Sequence, residues 1–336
     1  MVKKIIMIVA ILFISIGALC IYGLYRFFNP FGKEVNKELS DSYYYTRDKE
    51  GIIYSPMGNW FELGKDEMEV DMQTFQVLAR DYAKDKDQAY FKSRAINNEI
   101  DLASFEVQLG YTPIDKNHVY ELNDNYYHIG TKDIKALKIL EGADAKTFTQ
   151  ISFDFAKDKN FVYQNYKRND SLDVASFEEI NSHFCKDKKG VYYYSYGNPT
   201  HKIEEANISG IVSLTDYYIR DDNNVYFYVG YQNSESLDEV ITIPFKNSNA
   251  INFFEDNGLV RIDDKIFYQG EAIEEVDVTT FKELEHGYTK DKNYVFFNGK
   301  IIDRADTNTF RYNTNTYTFS DKNHIYEVGE IVKSKK

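Results

Sequence analysis

The sequence predicts an all-β chain: tandem antiparallel β-hairpin repeats in an extended stack, preceded by one N-terminal transmembrane helix. Three observations carry that expectation. A turn-opening acid recurs at Asp48, Asp85, Asp115, Asp158, Asp187, Asp221, Asp263, Asp291 and Asp321, with spacings that cluster near about thirty residues. Five residues beyond it stands an aromatic in the later copies (Tyr90, Tyr120, Tyr163, Tyr192, Tyr226, Tyr268, Phe296, Tyr326), and the first copy reaches Tyr54 one position later. A second signature, Asp-x-x-Ser/Thr-Phe, keeps one spacing at Asp71–Phe75, Asp101–Phe105, Asp144–Phe148, Asp173–Phe177, Asp277–Phe281 and Asp306–Phe310.

Residues 1–4 are a short flank. Residues 5–26 are almost wholly apolar behind Lys3 and Lys4, about the ~20 residues that cross a ~30 Å hydrocarbon core. The run is longer than that of a cleavable signal peptide, and Leu19 directly before Cys20 argues against lipoprotein processing. An uncleaved single-pass anchor in the cell membrane is expected. Flanking cations are nearly balanced (Lys3 and Lys4 against Arg26, Lys33 and Lys37), so orientation rests on the habit of a lone N-terminal anchor, with the repeats exported to the periplasm or beyond. Residues 27–41 read as a polar tether with a turn at Asn29-Pro30, and residues 42–336 as repeats.

The clearest repeat is Asp291–Lys300, DKNYVFFNGK. Asp291 can accept hydrogen bonds from the backbone two residues on, which reverses the chain. Tyr294–Phe297 is aromatic and β-branched, suited to a pleated surface. Asn298-Gly299 is the pair that a type I′ hairpin turn requires. Ahead of the acid usually comes an aromatic and a cation, as in Tyr82-Ala-Lys84 or Tyr288-Thr-Lys290, giving strand, turn, strand. In the second signature the acid caps a single turn of helix or 3₁₀ and the Phe points inward as a core plug. About three strands per unit falls short of a four-stranded propeller blade, which places a β-propeller as the alternative. Neighbouring units must stack to bury one another's faces. The section 187–262 is irregular: it lacks the plug signature and contains Gly230, Pro244 and Lys246–Asn249. Insertions in repeats often fall on the binding side, so a site is sought there.

At Asp291–Lys300, and again at Asp115–Tyr120 and Asp158–Tyr163, the chain resembles the DKNYY repeat family of bacterial proteins over about residues 45–330. That family is known by its repeat and has no established activity, so the resemblance implies no catalytic residue. Asp221-Asp222 in place of Asp-Lys, and the shifted Asp263-Asp264-Lys265, depart from the pattern.

The formal charge is −13, and an acidic surface is repelled by nucleic acid and by anionic headgroups. Cys185 is the one thiol beyond the anchor and reads as buried and structural. His118 and His324 share a slot that sister repeats fill with Phe161, Gly190, Asn224 or Tyr294, and His128, His183, His201 and His286 lack zinc spacing. The Lys after most turn acids disfavours calcium, with Asp221–Asn224 the best exception. No metal, cofactor or catalytic residue is assigned, and no P-loop or nucleophile-elbow motif occurs. Aromatic runs (Tyr43–Tyr45, Tyr126-Tyr127, Tyr192–Tyr196, Tyr226–Tyr228) put adjacent rings on opposite strand faces. Cross-strand pairing accounts for single rings. For the set Tyr192, Tyr194, Tyr196, Tyr226 and Tyr228 an interaction surface is expected. The leading function is therefore a membrane-anchored, non-catalytic interaction or scaffold module of the bacterial cell envelope, with an unknown protein partner. The second is an envelope glycan-binding protein, and a weaker third is an enzyme with an unfamiliar site in 187–262.

Overall fold

The computed structural model describes residues 16–96, 99–123, 136–230, 239–254 and 258–335. His128 and the Tyr126-Tyr127 run lie outside the described residues. Short strands of aromatic and β-branched residues pair into antiparallel meanders, and seven four-stranded sheets with strands in chain order are present among the described residues. One is built from Lys282–Glu283, Tyr288–Lys290, Val295–Phe297 and Lys300–Ile301. In it Thr289 pairs with Phe296 and Phe297 with Lys300. The repeat thus has four strands where three were expected. Its outer strands here are two residues long, too short to display an alternating pattern. Four is also the number in a propeller blade, so strand count no longer separates an open stack from a ring.

The repeat beginning near Phe105 is split into two hairpins, Glu106–Gln108 with Thr112–Ile114 and Tyr120–Leu122 with Leu137–Ile139. A single bridge, Ile114 to Val119, links them. At the other end, Tyr43–Tyr45, Ile52–Tyr54 and Asp66–Met68 form the first sheet. Part of the expected tether joins it: the Gly32 N–H donates to the Tyr45 carbonyl at 2.8 Å, and the Val35 N–H to that of Tyr43 at 2.9 Å. The segment is polar because one of its edges faces water, and it is ordered because the other satisfies the backbone of Tyr43–Tyr45.

Residues 16–28 are helical, and Ile16, Leu19, Ile21, Leu24 and Phe28 are exposed on them. Among the described residues no helix is long and apolar enough to cross a membrane. The remainder of the expected anchor, residues 5–15, lies outside them.

The chain divides into two compact units, Met1–Arg168 and Asn169–Lys336. Within each, successive sheets share their cores. In the first unit Tyr43, Ile52 and Tyr54 pack with Val77, Ala83 and Tyr90 of the next sheet. In the second, Tyr226 and Tyr228 join Phe184, Val191 and Ile219, whereas Val225 and Phe227 join Ile243, Val260 and Ile262. One strand, Asn224–Val229, therefore feeds two cores, one on each face.

Candidate functional site

The turn acids are the most numerous polar groups inside the protein, and their geometry repeats. Asp115 is buried. Its Oδ1 accepts the N–H groups of Asn117 and His118 at 2.8 Å each, and its Oδ2 accepts the Tyr120 hydroxyl and the Asp101 N–H, also at 2.8 Å. Asp85, Asp158, Asp221 and Asp321 hold equivalent partners. Burial alone would raise the Asp115 carboxyl, but these four donors outweigh it and hold it below its usual range. Tyr120 is pushed upward by the same burial and by the carboxylate it donates to.

The second signature is the other half of this device. Asp101 Oδ1 accepts both the N–H and the hydroxyl of Ser104, at 3.1 and 2.7 Å, and Oδ2 pairs with Lys116 at 2.6 Å. The Ser104 hydroxyl in turn accepts the Lys116 N–H at 3.0 Å. The Ser104 N–H also meets the Asp101 carbonyl in a 3₁₀-type bond, so the segment is a single turn capped by its own acid, as expected. Phe105, Phe148, Phe177 and Phe310 are buried as plugs, while Phe75 and Phe281 are half-buried. The cation before the turn acid has a role as well. Lys84 Nζ donates to the carbonyls of Leu102 and Phe105 in the next repeat, and Lys290 does the same to Thr307 and Phe310.

The irregular section keeps the device with substituted parts. Asn207 stands where the capping acid would be, and its N–H donates to Asp221 Oδ2 at 2.9 Å. Asp222 stands where the Lys would be, so the two halves of the usual ion pair are replaced together. Near Asp263, the N–H groups of Lys246 and Asn247 donate to that carboxylate. The sequence signal that would have found Asn207 is the spacing of fourteen residues that most paired acids keep, as from Asp71 to Asp85 or Asp173 to Asp187, while Asp306 and Asp321 stand fifteen apart. The first copy departs further: Asp48 is exposed, and Tyr54 donates to Asp81 instead, at 2.6 Å.

The aromatic surface expected in this section requires correction. Tyr192, Tyr194, Tyr226 and Tyr228 are buried, and of the five only Tyr196 is exposed, at 73%. The reason is the double-sided core: with a sheet packed on either face, alternate residues no longer alternate between core and water. Tyr192 and Tyr226 spend their hydroxyls on Asp187 and Asp221, and Tyr194 on Glu179 and the Asn181 carbonyl. Other rings reach the surface. Tyr193 stacks on the exposed His201 at 5.2 Å, and Tyr217, 41% exposed, lies 4.9 Å from His183. His183 also stacks on Tyr228 at 4.3 Å, so the outer rings rest on a buried one. Sequence reasoning missed Tyr193 and Tyr217 because nothing local distinguishes them from their buried neighbours. Cys185 is fully buried, and burial pushes its thiol far upward.

The repeat geometry matches a known pattern: the model of the DKNYY family fits residues 45–196 and again 193–330. The chain belongs to the DKNYY family. Comparison with curated proteins and with solved structures gave no match. In DKNYY terms, the Asp is the turn carboxylate and the Lys reaches back to the capping acid. The ring that donates to the carboxylate stands five positions after the Asp, one beyond the five residues that name the motif.

Proposed function

We propose that this DKNYY protein is a membrane-held, non-catalytic interaction module. Residues 5–26 anchor it, the repeats are exported, and a partner in the cell envelope docks on them. The observation that carries this reading is the helical stretch 16–28, whose exposed apolar residues fall at 16, 19, 21, 22, 24, 25, 27 and 28. At 3.6 residues per turn these positions surround the helix, and a helix apolar on all sides belongs in lipid or in a protein core. Alkaline carbonate extraction of host membranes tests it. The full chain is expected to stay in the pellet and a chain starting at residue 27 to be released; release of both would overturn the anchor.

Glycan binding is the second reading, favoured by the stacked pair Tyr193–His201, the tilted pair Tyr217–His183 and the exposed Tyr196. Aromatic rings that reach a surface suit the apolar faces of sugars. Pull-down on purified cell-wall fragments is expected to weaken for Tyr196→Ala and Tyr217→Ala. Unchanged retention in both variants would leave the protein-partner reading alone.

A further inference from the structure

The first unit contains a cleft of about 360 Å³ between the first two sheets, in the size range of small-molecule sites (~300–1,000 Å³). Lys65, Lys92 and Arg94 line it, with Asp66 the one acid among its lining residues. On a chain of net charge −13, that is a local reversal of sign.

Both walls are held by contacts that owe nothing to a ligand. One is the segment between the strands Ile52–Tyr54 and Asp66–Met68. There Ser55 Oγ donates to the Gly64 carbonyl at 2.9 Å, closing the ends of the loop, and the Met57 N–H donates to Ser42 Oγ at 3.0 Å. The other wall is the turn after Ala89–Phe91. Lys92 sits there at φ 58°, its N–H on the Asp81 carbonyl and its carbonyl accepting the Tyr43 hydroxyl at 3.0 Å. Its backbone is pinned from two sides, and its ammonium lies 5.6 Å from the Phe91 ring. Sister repeats put Asn298-Gly299 or Val328-Gly329 at the equivalent turn, with no cation at either position.

We infer that this cleft binds a small sugar acid, a pyranose-sized ring bearing one carboxylate. The three cations receive the carboxylate, Arg94 having the planar fork that matches it. Leu63, 48% exposed, offers apolar surface to the ring. Asp66, which accepts the Ser93 hydroxyl at 2.7 Å, decides between anions. It would repel a compact dianion such as phosphate, whereas sugar hydroxyls can donate to it. The site stands apart from the rings of the second unit and does not depend on the reading given them.

Titration calorimetry of the full-length protein at low ionic strength tests the assignment with three probes: D-glucuronate, D-glucose and inorganic phosphate. Glucuronate is expected to saturate a single site, with at least about tenfold weaker binding by glucose and by phosphate. Lys65→Ala/Arg94→Ala should weaken glucuronate by about tenfold or more, while Lys33→Ala/Lys37→Ala, which removes the same charge elsewhere, should leave it unchanged. All four side chains are replaced without touching the core, and matching thermal unfolding checks the fold. Equal binding of glucose, equal binding of phosphate, no saturable glucuronate binding, or indifference to the cleft variant would each overturn the proposal.

Discussion

A buried carboxylate is costly unless donors surround it, and here each turn acid brings its own. The Tyr hydroxyl is the donor that substitution can remove cleanly. Tyr163 donates to Asp158 Oδ2 at 2.9 Å, and Tyr163→Phe removes one hydrogen bond to a charged group at unchanged volume. Chemical denaturation should show a loss of about 1.5–3 kcal/mol. The converse exists naturally: at Asp291 the ring is Phe296, fully buried, and Asp291 Oδ2 receives the Asp277 N–H. Phe296→Tyr should therefore be neutral or stabilising by up to about 1 kcal/mol, and a marked loss would show that the sister geometry does not transfer. The capping acids make the fold acid-sensitive. Hydrogen bonds from Lys86 and Thr74 lower Asp71 from 3.8 to about 2, and Asp101, Asp173 and Asp306 are lowered to about 2 by the same kind of partners. A depressed carboxylate stabilises the fold above its unfolded value and loses that contribution as pH falls through the folded one. Urea midpoints should be flat from neutrality to about pH 5 and decline between about pH 4 and 2. At the alkaline end Tyr192, pushed up to about 12 by burial and then Asp187, contributes fully below its ordinary 10.0 and fails as pH rises through about 12.

At the scale of the element, the Asn-Gly turn does more than reverse the chain. Asn298 has φ 46° and Gly299 φ 76°, as a type I′ turn demands, and a Cβ on Gly299 would stand 2.9 Å from Tyr268 Cβ. Gly270 approaches Phe227 and Gly329 approaches Phe297 in the same way, so these three turns of the second unit each seat on the third strand of the repeat before. Gly299→Ala should cost more than the ~1 kcal/mol expected of a strained turn alone, because conformation and contact are both offended. Asn298→Ala, which keeps the seat, should cost less; equal losses would show that the contact carries nothing. This contact was invisible in the sequence, where Asn-Gly announced only a hairpin. What was legible were the features set by neighbours in the chain: the turn acids, the ring five residues on, the plug Phe. Features set by the next repeat were not, including the carbonyls held by Lys84, and the departure read at Asp222 did not reveal that Asn207 takes the place of the capping acid.

For the whole molecule, the all-β repeat architecture followed from counting copies, and the expected interaction surface did not. Tyr226 and Tyr196 look alike in the sequence, yet one is fully buried and the other exposed, because burial depends on which sheets lie to either side. The cleft lined by Lys65 and Arg94 was equally hidden, since it joins residues some thirty positions apart. Cys185 gives a readout of cooperativity in the second unit. In a Cys20→Ser background the native protein should resist a thiol reagent over hours, and reactivity should rise with the same urea midpoint as the loss of β-sheet signal. Labelling well below that midpoint would mean that its repeat opens alone.

The seats of these glycine turns also make the repeats depend on one another in order. Phe297 receives Gly329 and Tyr268 receives Gly299, so a ring on one repeat's third strand fixes where the following repeat's turn can lie. A substitution at such a ring is therefore felt one repeat downstream, and the array transmits a disturbance in the direction of the chain.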